Sequence, residues 1–352
     1  MNEIASSSGK TNLQQQSGVA LLLVIFVITL ASVIVINLAY STHLSARTNA
    51  LVNKSLQAEY LLKSALNFAR VLIQADTSPE DAPKDPWGHF INGGAIPPEL
   101  LNINEPNLRI ELEIRPQNNG LMLRQLAHVG QGSMSPDRLK WCQAFQRLFI
   151  NLGFQEDEEV DHTGLFQSKI FRPKEMVGAL IDYMDPDTES FQENDCARGI
   201  EKDLPKDNEF PGTPPSTLEE LRGIPGFTPN RLRKLMPLIS LEAGKVNINT
   251  APLEVLKALD EDIIDEIAQD IIAERNKEPF TANDWQQRLE DIIGGSEAAA
   301  RISSLTDVGS RQFQVLAKVD YGGNFRYFLR ASVLKNQGLE TDLPAVSWIE
   351  LF

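Results

Sequence analysis

Residues 16–40 read QSGVALLLVIFVITLASVIVINLAY, and this stretch decides what kind of fold the chain can have. From Val19 to Tyr40 no charged side chain interrupts the run. About 20 consecutive apolar residues cross the hydrocarbon core of a bilayer as a helix, and this run has that length. A secretory signal peptide has a shorter apolar stretch, followed by a small-residue cleavage site. No Ala-x-Ala follows here. The chain goes on as YSTHLSARTNALVNKSLQAEYLLKSALNFARVLIQ, with neither Pro nor Gly between Val19 and Gln74. Leu44, Leu51, Tyr60, Leu61, Ala65, Phe68 and Leu72 recur close to helical spacing. The pattern predicts one continuous helix of about 80 Å at 1.5 Å per residue. Its first part, 19–40, would lie in lipid, and 41–75 would pack on a soluble head.

Composition narrows the functional classes. The chain has 352 residues and a net charge of -15. So acidic a protein is a poor non-specific nucleic-acid binder, because phosphate contacts need Lys and Arg. Two cysteines make no disulfide scaffold and no Cys-x-x-Cys pair. Four histidines (His43, His89, His128, His162) are scattered, with no His-Glu-x-x-His and no nucleophile pattern beside them. Asp187-Thr188-Glu189 is not the Asp-Thr-Gly of an aspartic protease. No catalytic constellation emerges.

After the helix, residues 77–106 are rich in Pro and Gly, which predicts an irregular surface segment. Leu108–Ile114 alternates strictly and reads as a half-buried strand. Asn118-Asn119-Gly120 reads as a hairpin turn, with a return strand over 121–129. Residues 312–319 and 325–334 form a second strand pair around Tyr321–Asn324, and a short strand is expected over 346–351. Between these strands the chain looks mainly helical, over 138–152, 173–183, 217–222, 228–237, 252–259, 263–276 and 282–290. Asn249-Thr250-Ala251-Pro252 supplies a cap and a Pro at a helix start. The acidic loop from Asp182 to Asp195 carries hard oxygen donors, Asp185, Asp187, Glu189, Glu193, Asn194 and Asp195. Such donors suit Ca2+, which takes about six to eight oxygens. The commoner meaning of such a run is a solvated surface.

Four patches carry a resemblance. Gln16-Ser17-Gly18-Val19 places a Gly directly before the apolar run, as in the type IV prepilin signal. Residues 180–189, LIDYMDPDTE, and residues 245–259, KVNINTAPLEVLKAL, followed by 271–280, IIAERNKEPF, are similar to segments of the K-type minor pseudopilins of type II secretion systems. The likeness runs in patches from Gly18 to about Leu334. Two places depart from it: Leu121–Leu126 stands where an Asn-rich stretch is usual, and the acidic loop diverges after Glu189.

The resemblance implies an α+β, type IV pilin-like fold: a long N-terminal transmembrane helix and a small antiparallel sheet with a large all-α inserted domain. It divides the chain into a leader (1–18), a membrane part (19–40) and a periplasmic part (41–75) of the helix, a first β region (76–134), a helical insert (135–306) and a C-terminal β region (307–352). It implies cleavage after Gly18 by the prepilin peptidase and N-methylation of Val19. Leu23 then takes the fifth mature position, where most pilins carry Glu. A buried Glu needs a partner that Leu23 does not, which suits a subunit with none above it, at a filament tip. The implied partners are I-type and J-type minor pseudopilins, the major pseudopilin and the inner-membrane assembly platform, with the C-terminal domain in the periplasm. Calcium binding is also implied. In that compartment disulfides persist, so a Cys142–Cys196 bridge bracing the acidic loop is expected. A rival reading remains: Gly223-Ile224-Pro225-Gly226 and the NINTAPLEVL pattern resemble the helix-hairpin-helix modules of a membrane-anchored DNA receptor. There, hairpin amides approach phosphate. Asp260, Glu261 and Asp262 in the second turn would repel it.

Overall fold

The computed structural model describes residues 11–97, 100, 108–127, 134–193, 195–322, 326–335 and 343–352. Helix α1 runs unbroken over Thr11–Ala75, and from Val19 on it holds no Pro or Gly that could interrupt it. From Gly18 it is long and apolar enough to cross a membrane, and its large side chains from Val19 to Tyr40 are exposed. The chain divides into two compact units, Met1–Leu61 and Leu62–Phe352. In the second, the last turns of α1 bury Leu62, Ala65, Leu66, Ala69 and Ile73. That stripe steps by three and four residues, one face of a helix.

The segment after α1 is more ordered than its composition suggests. A 3₁₀ turn at Pro86–Phe90 buries Trp87, whose ring meets Phe313 edge-on at 5.0 Å. Strand β1 (Gly94–Ile96) pairs antiparallel with β2 (Arg109–Pro116). The return strand expected over 121–129 does not form. β3 covers only Leu121–Met122, and a 3₁₀ turn takes Leu123–Leu126; residues 128 and 129 lie outside the described residues. The reason is visible in burial. Leu121, Met122, Leu123 and Leu126 are all buried in the insert's core, and such a run cannot keep strand alternation. Gly120 is needed for close approach rather than for a turn: a Cβ there would lie 2.6 Å from the Leu238 carbonyl carbon.

The insert follows. Its elements are α2 (Pro136–Asn151), α3 (Pro173–Met184), β4 (Gln192–Glu193), β5 (Ala197–Arg198), α4 (Pro229–Leu235), β6 (Ile239–Ser240), β7 (Val246–Asn247), α5 (Leu253–Leu259), α6 (Asp265–Lys277), α7 (Trp285–Ile293), α8 (Ser296–Leu305) and β8 (Thr306–Asp307). The helix expected at 217–222 is a 3₁₀ helix, Leu218–Gly223, held by a Thr217–Glu220 capping box. α8 was not expected; Gly294, at φ 77°, ends α7 and lets the chain restart. The two-residue strands pair as β3–β6 and β7–β8 (parallel) and β4–β5 (antiparallel).

The chain returns in β9 (Gln312–Asp320), then β10 (Arg326–Leu334) and β11 (Ala345–Leu351). Phe325, expected as the first residue of the second of these strands, lies outside the described residues. The five-stranded antiparallel sheet has the order β1-β2-β9-β10-β11. Register puts Ile110, Leu112 and Ile114 opposite Val319, Ala317 and Val315, and Leu329, Ala331 and Val333 opposite Ala317, Val315 and Phe313. All are buried, so one face of the sheet is core. β2 and β9 are neighbours, and Gln117 N–H donates to Gln312 C=O at 2.8 Å where the insert begins and ends. The architecture is the expected pilin-like α+β arrangement, with the helical part inserted between two hydrogen-bonded strands.

Candidate functional site

The NIN motif, Asn247-Ile248-Asn249, forms the joint between insert and sheet. Asn247 and Asn249 are fully buried, so their amides must be satisfied internally. Asn247 Nδ2 donates to the Asp81 carbonyl at 2.9 Å and to Ser310 Oγ at 2.8 Å. Its Oδ1 accepts from Asn249 N–H at 2.9 Å. Its backbone N–H donates to Asn118 C=O at 2.7 Å, and Ile248 N–H to Asp307 C=O at 2.9 Å. Asn118 Nδ2 reaches the carbonyls of Lys245 (3.1 Å) and Gly309 (2.9 Å). Four chain segments meet here: the loop after α1, and the start, middle and end of the insert.

The acidic loop is bound down from within. Asp182, fully buried on α3, accepts N–H bonds from Phe191 (2.8 Å), Ile200 (2.5 Å) and Glu201 (2.9 Å). Burial pushes its carboxyl up to about 6, outweighing these donors. Gly178 lets β5 lie flush on α3; a Cβ there would sit 2.1 Å from Arg198 O. Cys142 on α2 and Cys196 are joined in a disulfide with Cα atoms 5.7 Å apart.

Of the predicted oxygen donors, Asp185 is buried at the C-terminus of α3. It accepts from Asp187 N–H at 3.3 Å, and Asp187 from Glu189 N–H at 2.8 Å. Glu189 is exposed and paired with Lys202. Glu193 sits on β4 and Asp195 is exposed in the following turn; Asn194 lies outside the described residues. The residue that sequence reading missed is Glu201. It is 9 % exposed, and its Oε2 has no hydrogen-bond partner. Burial first, then Asp182, Asp187, Asp185 and Glu209, push its carboxyl up to about 7. A buried carboxylate oxygen without a donor, in the field of further carboxylates, is costly unless it keeps its proton or a cation resolves it. Hard oxygen donors of this kind fit Ca2+. Glu201 lies outside the contiguous acidic run, and no local pattern marks it.

Each hairpin-like turn has a backbone amide taken by a carboxylate of the chain itself. In the first, Gly226 N–H donates to Asp161 Oδ1 at 3.2 Å. Arg231 is buried, bonded to Asp157, to Phe171 O (3.1 Å) and to Gly226 O (2.9 Å). In the second, Asp262 N–H donates to Asp260 Oδ1 at 3.2 Å. Arg301 closes on Asp260 with bonds of 2.7 and 2.8 Å and on Asp262 at 2.7 Å. A carboxylate therefore occupies an amide of each turn, and a basic side chain beside each is spent internally.

Gly18, Val19 and Leu23 are exposed on α1. Helix continues through Gly18, so the peptide bond after it is helical.

Comparison with known proteins follows the same outline. The family described as type II secretion system (T2SS), protein K matches residues 246–301, the segment that begins at the joint and runs into α8. The type II secretion system protein K of Pseudomonas aeruginosa is 24% identical over 318 residues, covering 87% of this chain and 85% of that protein. A putative type II secretion system protein K of Escherichia coli K12 is 23% identical over 316 residues, covering 85% and 88%. The crystal structure of the GspK-GspI-GspJ complex from the enterotoxigenic E. coli type 2 secretion system contains a chain of the same fold. Its TM-score is 0.59 at 16% identity, over 87% of this chain and 99% of that one. The resemblance to protein K read from the motifs is thus found again by family segment, by relatives and by fold.

Proposed function

We propose, with the likeness to type II secretion system protein K as premise, that this chain is a minor pseudopilin whose work is assembly rather than catalysis. The observation that carries the reading is the joint. The residues matched by the family, 246–301, begin at Val246 and Asn247, which lace the insert to the pilin-like part. The likeness therefore reaches the architecture as well as the anchor.

On this reading the prepilin peptidase cuts after Gly18 on the cytoplasmic side and Val19 is N-methylated. The helix stays in the inner membrane and the second unit lies in the periplasm. I-type and J-type minor pseudopilins are the direct partners, as the complex of the structural relative suggests. With them the chain starts filament assembly on the inner-membrane platform, ahead of the major pseudopilin. Leu23, which supplies no carboxylate, and an insert too bulky to repeat along a packed fibre both favour the tip.

Calcium binding belongs to the same proposal, with Asp185, Asp187 and Glu201 as the donors this chain offers. The ion would hold the acidic loop and offset the mutual repulsion of its carboxylates.

The test is the intact mass and N-terminal sequence of the protein extracted from its native membrane, followed by localisation of labelled protein on filaments. A methylated Val19 start and label confined to one end are expected. A chain that keeps residues 1–18, or label along the whole filament, overturns the reading. The DNA-receptor alternative would need tight, salt-sensitive binding of duplex DNA. The carboxylates in both turns argue for none.

A further inference from the structure

Where α1 ends, three carboxylates cluster, and two of them share one ammonium. Asp76, Asp81 and Asp85 each place an oxygen within 4.8 Å of the others. Asp76 and Asp81 are buried and Asp85 is half-buried. Lys335, just past β10, donates to Asp76 Oδ2 and Asp81 Oδ1, both at 2.8 Å, and to Ser78 O at 3.3 Å. Trp87 Nε1 adds a bond to Asp76 Oδ2 at 3.3 Å. Ala82 N–H donates to Asp85 Oδ2 at 2.6 Å.

The same residues grip the end of the insert. Asp81 Oδ2 accepts from Ser310 N–H at 2.6 Å, Asp81 N–H donates to Val308 C=O at 2.9 Å, and Asp81 C=O accepts from Asn247. Gly309 leaves no room for a side chain; a Cβ there would lie 2.9 Å from Pro79 O. The cluster therefore fixes the insert's return segment, 307–311, against the loop that follows α1.

We propose that Asp76, Asp81, Asp85 and Lys335 form a proton-sensitive clasp between the end of α1 and the end of the insert. Three carboxylates this close, sharing one counter-charge, cannot all ionise without mutual repulsion, so the group retains a proton into the neutral range. The facing groups are Asp76 at the end of α1, Asp81 and Asp85 in the loop, Lys335 after β10, and the uncharged Ser310 and Asn247 from the insert side. Burial pushes Asp81 up to about 7 and Asp85 up to about 6. Asp76 lies below its ordinary value: burial would raise it, but Lys335 and Ser78 outweigh this. The two raised carboxyls bind more protons folded than unfolded. Their contribution is complete below the ordinary carboxylate range and is lost as pH rises through about 6 to 7. The clasp is tight in mild acid and loosens toward pH 8.

The inference is independent of the secretion reading and is tested on the full chain in detergent micelles. Thermal midpoint and amide exchange are followed between pH 5 and 8, exchange being corrected for its intrinsic pH dependence. Protection of the Asp81 and Ser310 amides is expected to fall about tenfold across this window, the factor belonging to one pKa unit. Asp85→Asn fixes the neutral form. It should match the parent at pH 5, melt higher than the parent at pH 8, and show a shallower slope between. Lys335→Met removes the counter-charge and should cost more at pH 8 than at pH 5. An Asp85→Asn slope equal to the parent's, or a Lys335→Met loss equal at both pH values, overturns the proposal.

Discussion

The Asn249 side chain is hydrogen-bonded to both backbone groups of Phe280: Nδ2 donates to the carbonyl and Oδ1 accepts from the N–H, each at 2.9 Å. One amide thus imitates a strand neighbour for a residue 31 positions along, and pins the segment after α6 to the start of α5. Asn249→Ala leaves two buried backbone groups unpaired at about 1–3 kcal/mol each. We expect a loss of about 3 kcal/mol, read from denaturant midpoints at constant m-value. A loss below about 1 kcal/mol would mean that water replaces the amide.

The Cys142–Cys196 bridge closes a loop with a sequence separation of 54. Reduction, or Cys142→Ser with Cys196→Ser, should cost about 2–4 kcal/mol. Exchange protection should fall first around β4 and β5, beside Cys196. Unchanged midpoints with and without reductant would count against a bracing role.

Gly178→Ala tests how closely α3 meets β5. The added carbon would sit 2.1 Å from Arg198 O and 2.2 Å from its carbonyl carbon, both backbone atoms. Over-packing against atoms that cannot rotate away costs about 1–3 kcal/mol or more. A variant as stable as the parent would show that the two elements separate easily.

Arg301 makes the stability of the α5–α6 turn pH-dependent. Burial alone would raise the Asp260 carboxyl, but Arg301, the Asp262 amide and Arg147 hold it below its ordinary value. A lowered carboxyl contributes stability that is present above the ordinary carboxylate range and lost as pH falls through the folded value. Arg301→Ala should cost about 2 kcal/mol at pH 7 and progressively less below pH 4. A pH-independent cost would mean that packing, not charge, is what Arg301 supplies.

If Ca2+ binds the acidic loop, adding it to chelator-treated protein should raise the melting temperature, and Glu201→Gln should weaken that response at least tenfold in calcium concentration. Magnesium, smaller and stricter in geometry, should substitute poorly. An unaltered calcium response in Glu201→Gln places the ion elsewhere.

What could be read from the sequence is what neighbouring residues encode together. The unbroken run from Val19 to Gln74 gives α1 because nothing in it can stop a helix. The strands at 312–319 and 326–334 lie close together in the sequence and declare themselves by their apolar pattern. The strand at 109–116 is also legible, but its partner is not. β2 pairs with β9 across the whole insert, and no local signal says so. Asn118-Asn119-Gly120 looks like a hairpin turn because those residue types serve turns. Here one Asn is a crosslink and the Gly a point of contact. Glu201 escaped notice for a related reason: what distinguishes it is the company of Asp182, Asp185 and Asp187 across a fold-back. The hairpin-like patterns were legible as shape, but not the carboxylates that fill them, Asp161 lying 65 positions before Gly226.

Because β2 and β9 are adjacent and Gln117 pairs with Gln312, residues 117–311 begin and end side by side. Such a module is a cassette. Its size places no demand on the sheet that carries it, and a tight turn in its place would leave the ladder between the two strands intact. A pilin-like body and a bulky head can therefore change independently, provided that the few residues at their seam are kept.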